Sequence, residues 1–172
     1  MQLSKSSILE SLSVNHPSMV DSLLEYASSL PSDGINGAGL FIICPKTKKV
    51  LLGRRTGVDQ YAGTWCTFGG GVEPGEHPLN TAIREVGEEA GIAPDSVNPS
   101  NMPIYDDDNN GGYIFRTYLA TCDDEIDVNT NHEHDTHGWY RMTDLPQPLH
   151  PGINRLLANP AAIRIILDAL NH

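Results

Sequence analysis

Apolar residues return along this chain with two periods, and the switches between them mark out its elements. A capping box runs from Ser7 to Glu10, and behind Pro17 the residues Met19, Val20, Leu23, Leu24, Ala27 and Leu30 recur at helical spacing. This pattern predicts an N-terminal helical extension over residues 1–33, which Pro31, Asp33 and Gly34 bring to a stop. Ile35 to Cys44 is then almost continuously apolar or glycine, and Val50 to Arg55 follows a short lysine-rich turn, so a two-stranded hairpin is expected. Trp65 to Phe68 reads as a short strand and Gly69 to Gly75 as a glycine-rich loop. A helix opens at Pro78, where the missing N–H does no harm, and ends before Gly91.

Past that helix, Met102 to Tyr105 and Tyr113 to Cys122 flank an Asp/Asn/Gly turn, and Gly138 to Met142 offers another strand. Two short C-terminal helices follow, the second opening at Pro160 after Asn159 with Ile163, Ile166, Leu167 and Leu170 on one side. Strands on both sides of a central helix, with further helices at the ends, predict an α/β domain over residues 34–172: a mixed sheet between helical layers.

Composition narrows the partners. The chain of 172 residues carries a formal charge of -11, which disfavours DNA and anionic membranes and calls for cations between the protein and any anionic ligand. Cys44, Cys66 and Cys122 are widely spaced and odd in number, which suits buried, reduced thiols. The N-terminus shows no basic segment followed by an apolar stretch, and no apolar run reaches the ~20 residues of a membrane span, so a cytoplasmic setting is expected.

The chemistry lies in the central helix. At about 100° per residue, Glu85 and Glu89 stand ~40° apart and Glu88 ~60° to the other side of Glu85. Such like-charged neighbours cost roughly 0.2 to 0.5 kcal/mol per pair, and Gly87 among them costs about 1 kcal/mol relative to alanine. Helix stability does not explain this choice, although an acidic face with an Arg84–Glu88 pair is common on solvated surfaces. A hard divalent cation does explain it, because magnesium takes carboxylate oxygens, waters and substrate phosphate oxygens.

The run Gly70, Glu76, Arg84, Glu85, Val86, Glu88, Glu89, Gly91 and Ile92 resembles the Nudix box, GX5EX7REUXEEXGU, at every fixed position. A chance match is expected on the order of once in ten million chains of average composition, so the resemblance is specific. With the flanking strand pattern it extends over roughly residues 35–145. It implies a Nudix-type α/β/α sandwich and magnesium-dependent hydrolysis of a diphosphate bond in a small nucleotide, with manganese able to substitute. Nucleoside triphosphates, ADP-sugars and dinucleotides are among the implied substrates, and a homodimer is implied as well.

By the same resemblance, Gly69 (through its carbonyl), Glu85, Glu88 and Glu89 are metal ligands or organise them. Gly70 and Glu76 shape the substrate loop, and Arg84 orients neighbouring carboxylates. The base that takes a proton from water is left open among Glu85, Glu88 and Glu133. The family's usual proline before the paired glycines is Phe68 here. A non-catalytic nucleotide-binding module is the competing reading.

Other signals are weaker. Asp106 to Gly111 begins like a calcium loop, but position twelve is Thr117 instead of glutamate, so a polar hairpin turn is expected. His132, His134 and His137 around Glu133 lack the spacing of a zinc site and read as a mobile loop near the active site. Arg54, Arg55 and Arg116 are candidate phosphate or base contacts. Trp65 reads as core, and packing is the default for Tyr113, Tyr118 and Tyr140.

Overall fold

The structure, a computed structural model, describes residues 34–57, 61–108 and 111–172. The expected extension over residues 1–33 lies outside the described residues. Strand β1 (Ile35–Cys44) is buried along nearly its whole length. Its even residues Ala38, Leu40, Ile42 and Cys44 enter one core, and Phe41 and Ile43 enter another. That is why the run reads as continuously apolar: a strand covered on both faces has no polar side to show.

Around β1 the sheet takes the order β3-β2-β1-β6-β5, with β4 also paired to β1 and β7 to β2. The strands are β2 (Lys49–Arg55), β3 (Trp65–Cys66), β4 (Phe68–Gly71), β5 (Asn98–Asp108), β6 (Ile114–Thr121) and β7 (His134–Arg141). Among the strands described, β1 and β6 run parallel and the other pairs are antiparallel, so the sheet is mixed as expected. Helix α1 (Pro78–Ala90) packs on one face through Ala82, Val86 and Ala90. Helices α2 (Pro151–Ala158) and α3 (Pro160–Ala169) cover the other through Ile153, Leu156, Ala162 and Ile166. The result is the three-layer α/β/α arrangement.

The helix ends follow sequence logic. His77 caps α1 by accepting the Leu79 N–H at 3.2 Å, Pro78 fills the first turn, and Gly91 closes the helix in the left-handed conformation at φ 66°. Asn159 accepts the Ala161 and Ala162 N–H groups to start α3 at the expected Pro160.

Three boundaries differ from expectation. Trp65 to Phe68 is not one strand but two short ones, and Gly69 to Gly71 is strand instead of loop, because its backbone pairs with Gly37 to Gly39 of β1. Strand β5 extends well beyond Met102 to Tyr105; Pro99 and Pro103 are tolerated because β5 is an edge strand, and its register slips there. The histidine segment is a loop only at its start: His132 and Glu133 lie in a turn, and from His134 onward the chain is β7, paired along β2. Gly53 makes this possible, since a Cβ there would sit 2.7 Å from the His134 ring and 2.8 Å from Phe68.

Two outcomes are expected. His134 is 4% exposed, and burial, with the Arg55 charge beside it, lowers its pKa from 6.5 to about 4 against the opposing pull of Glu133 and Asp135. Between pH 6.5 and 4 the unfolded chain therefore binds the extra proton, and acidification removes roughly 3 kcal/mol of stability through this residue. In urea melts across this window, His134→Gln should flatten the pH dependence relative to the parent. In α1, a Cβ on Gly87 meets nothing nearer than the Ile92 carbonyl at 3.6 Å. Gly87→Ala is expected to stabilise the protein by about 0.5 to 1 kcal/mol in the same melts.

Candidate active site

The site is built where β4 presses its glycines between β1 and α1. A Cβ on Gly69 would collide with the Ala38 carbonyl, so this residue must lack a side chain for the strands to pair. Its free N–H donates to Glu89 Oε2 at 2.9 Å. A Cβ on Gly70 would fall 2.5 to 2.6 Å from all three atoms of the Glu85 carboxylate, so the glutamate lies directly on the bare strand.

Arg84 clamps the acidic segment. Its Nε and Nη2 donate to the two oxygens of Glu76 at 3.0 Å each, Nη1 donates to Glu85 at 2.7 Å and Glu88 at 3.3 Å, and Nη2 reaches the Gly71 carbonyl at 3.2 Å. Glu76 also accepts from the Thr81 hydroxyl at 2.7 Å. The Arg84 fork, seconded by Thr81, holds the Glu76 carboxyl down to about 2 despite its partial burial. Glu76 is thus the fixed post to which the loop before α1 and the arginine are tied.

Glu89 has the opposite surroundings. It is 4% exposed, and burial pushes its pKa up to about 8, with Glu133 and Glu85 adding repulsion and only the Gly69 N–H opposing. Glu85, Glu89 and Glu133 line one cavity of about 460 Å³, together with Gly69 to Gly71 and Arg55. The described residues contain no finished cluster of three or more histidine, cysteine, aspartate or glutamate ligands. Magnesium asks for less than that, because it is held through one or two carboxylates plus waters and phosphate oxygens. A buried carboxylate crowded by two others is the donor set such an ion fits.

A family model of the NUDIX domain matches residues 35–159. The chain belongs to the Nudix family. Among curated proteins, "Putative 8-oxo-dGTP diphosphatase 3" of Mycobacterium tuberculosis is 30% identical over 140 residues, covering 73% of this chain and 63% of that protein. The chain thus spans less than two thirds of that relative's length. "Uncharacterized Nudix hydrolase orf19" of Rhodococcus erythropolis is 44% identical over 57 residues, 32% of this chain and 31% of that one. Among solved structures, the Nudix hydrolase RenU of M. smegmatis superposes with a TM-score of 0.64 at 24% identity, covering 78% and 86% of the two chains. A C. elegans Ap4A hydrolase in a binary complex gives 0.56 at 23% identity, covering 78% and 92%. These two likenesses establish the Nudix fold.

Within this Nudix domain, the structure brings Gly69, Gly70, Glu85, Glu89, Glu133 and Arg55 to one cavity. Arg84, Glu76 and Glu88 stand behind it as a linked group, and the Glu88 side chain is 58% exposed. Arg54 does not line the cavity; Asp135 takes its fork at 2.8 and 2.9 Å. Arg116 is likewise engaged by Asp106, at 2.8 and 2.7 Å. Trp65 and Tyr118 are core, as expected. Tyr113 is 46% exposed and lines the cavity, as do Tyr61, Asp107, His150 and Arg155, which sequence reasoning did not single out. No alternation in the sequence marks Asp107, because residues 106 to 108 are all aspartate.

The two glycines should respond differently to alanine. Gly70→Ala meets only the end of a flexible side chain, so its melting temperature should stay close to the parent's while Mn²⁺ affinity by calorimetry drops about tenfold as Glu85 is displaced. Gly69→Ala meets backbone, and a loss of about 2 kcal/mol or more in urea melts is expected.

Proposed function

We propose that this Nudix protein is a pyrophosphohydrolase that uses Mg²⁺, or Mn²⁺ in its place, to cleave a diphosphate bond in a small nucleotide-like substrate. The observation that carries this reading is Glu89: a carboxylate 4% exposed, held by the Gly69 N–H and crowded by Glu85 and Glu133 on the wall of a cavity. A cation held there would neutralise the diphosphate and lower the pKa of a bound water, so that loss of its proton supplies the nucleophile for phosphorus.

The residues divide the remaining work. Glu85 and Glu89 hold the cation, with the Gly69 carbonyl as a further donor. Arg84 is a positioning residue that keeps Glu85 and Glu88 from splaying, and Glu76 keeps Arg84 in place. Glu133 and Glu85 are the better candidates for removing the proton from water, because both line the cavity and Glu88 does not. Gly70 and Arg55 contact the substrate. Arg54 is left out of this set because Asp135 engages it. A cytoplasmic setting is part of the proposal; separately, no helix among the described residues is long and apolar enough to cross a membrane. A homodimer is part of the proposal and is read by sedimentation.

The substrate panel consists of nucleoside triphosphates, ADP-sugars, dinucleotides and, following the name of the M. tuberculosis relative, 8-oxo-dGTP. Incubation with Mg²⁺ and chromatography of the products should show release of a nucleoside monophosphate from at least one. Glu89→Gln keeps an acceptor for Gly69, so the fold should persist while turnover drops on the order of 100-fold or more. Tight binding of a panel member with no cleavage would instead mark a non-catalytic nucleotide-binding module, and undiminished turnover in Glu89→Gln would remove the cation site from the account.

A further inference from the structure

The cavity continues past the carboxylates to a second polar centre that the Nudix box does not supply. Strand alternation creates it. In the β5–β6 register Tyr105 stands opposite Thr117 and Asp107 opposite Phe115, so the four side chains rise from one face of the sheet, and all four line the cavity. Asp106 projects from the other face, where Arg116 engages it. Asp107 is 9% exposed and accepts both Nε and Nη2 of Arg155, from α2, at 2.7 Å each. Gly152 lets α2 approach: a Cβ there would lie 3.2 Å from Asp107 Oδ2.

Beside this pair, on the β1 side, lies an aromatic floor. A Cβ on Gly37 would be 2.8 Å from the Phe115 ring and one on Gly39 would be 3.0 Å from it, so the ring rests across the bare backbone of β1. Tyr61 and His150, edge to face at 4.6 Å, form a further wall.

The Asp–Arg pair is neutral as a unit, which makes it a poor phosphate site. It offers the cavity a carboxylate that only accepts and a guanidinium that only donates, with Arg155 Nη1 making no hydrogen bond among the described residues. Pinning α2 to β5 is a weak reason for such a pair, because the Arg155 side chain stays 42% exposed and an ion pair open to water adds little stability. Acceptor and donor standing beside a flat ring match the edge of a nucleobase lying on that ring. The volume of about 460 Å³ suits a single nucleoside unit with its phosphates better than two such units.

Resting on the proposed hydrolase reading, we infer that Asp107 and Arg155 form the base-reading subsite of this cavity. Asp107 accepts an N–H from the base edge, Arg155 donates to the neighbouring acceptor, and the base lies on Phe115. These are specificity-determining residues, and they make the substrate a mononucleotide whose base carries an N–H donor beside an acceptor.

The test uses the full chain in EDTA with phosphate-free probes: adenosine, guanosine, cytidine and uridine, against purine riboside, whose base has no N–H. Saturation-transfer NMR and calorimetry should show at least one of the four binding about tenfold or more tighter than purine riboside. Asp107→Leu, which is close in size and has no acceptor, should remove that discrimination, and its melting temperature is recorded to separate recognition from folding. A merely structural pair would weaken all five nucleosides alike. The inference is overturned if none of the four binds, if purine riboside binds as well as they do, or if folded Asp107→Leu keeps the parent's preference. No phosphate or metal enters this measurement, so a failed hydrolysis panel with intact nucleoside discrimination would remove the hydrolase reading and leave the subsite standing. Hydrolysis without discrimination would do the reverse.

Discussion

Everything at this site depends on keeping a carboxylate out of water beside two others. Glu89 alone would not stay ionised there, since burial and its neighbours push its pKa to about 8. The surrounding fold makes the arrangement possible. Gly69 must be bare for β4 to pair with β1, and that same bareness brings its N–H to Glu89. Gly70 must be bare for Glu85 to lie on the strand. Arg84 then fixes how far the acidic helix face can relax, and Glu76, held well below the usual carboxylate range, fixes Arg84. The acidic face is unfavourable as a piece of helix and becomes reasonable once a cation is counted among its ligands.

The fold carries the same logic to the cavity's other end. β1 is buried on both faces for most of its length and turns to glycine at positions 37 and 39, where the Phe115 ring needs the space. The sheet face that holds core residues beneath α2 and α3 becomes, a few residues along, the face that lines the cavity. One strand thus serves packing at one end and recognition at the other.

Much of this was legible in the residues. The buried central strand, the helix from Pro78 to Gly91 and the start of α3 at Pro160 rest on local signals: apolar period, capping and proline placement. The acidic constellation was legible because its spacing is set within one helix turn. What escaped was set by partners distant in the chain. Gly69 to Gly71 looked like a loop because only the pairing with β1 makes it a strand. His134 looked mobile because only Gly53, on a neighbouring strand, gives its ring a place. Asp107 looked like part of a polar turn because its partner, Arg155, lies 48 residues on.

The most direct measurement of the central claim is a ¹³C NMR titration of the Glu89 carboxyl with and without saturating Mg²⁺. Without the ion its midpoint should lie near pH 8; with the ion it should fall well below neutrality, because the cation replaces the proton as the group that neutralises the site. A midpoint that Mg²⁺ leaves unmoved would contradict the account.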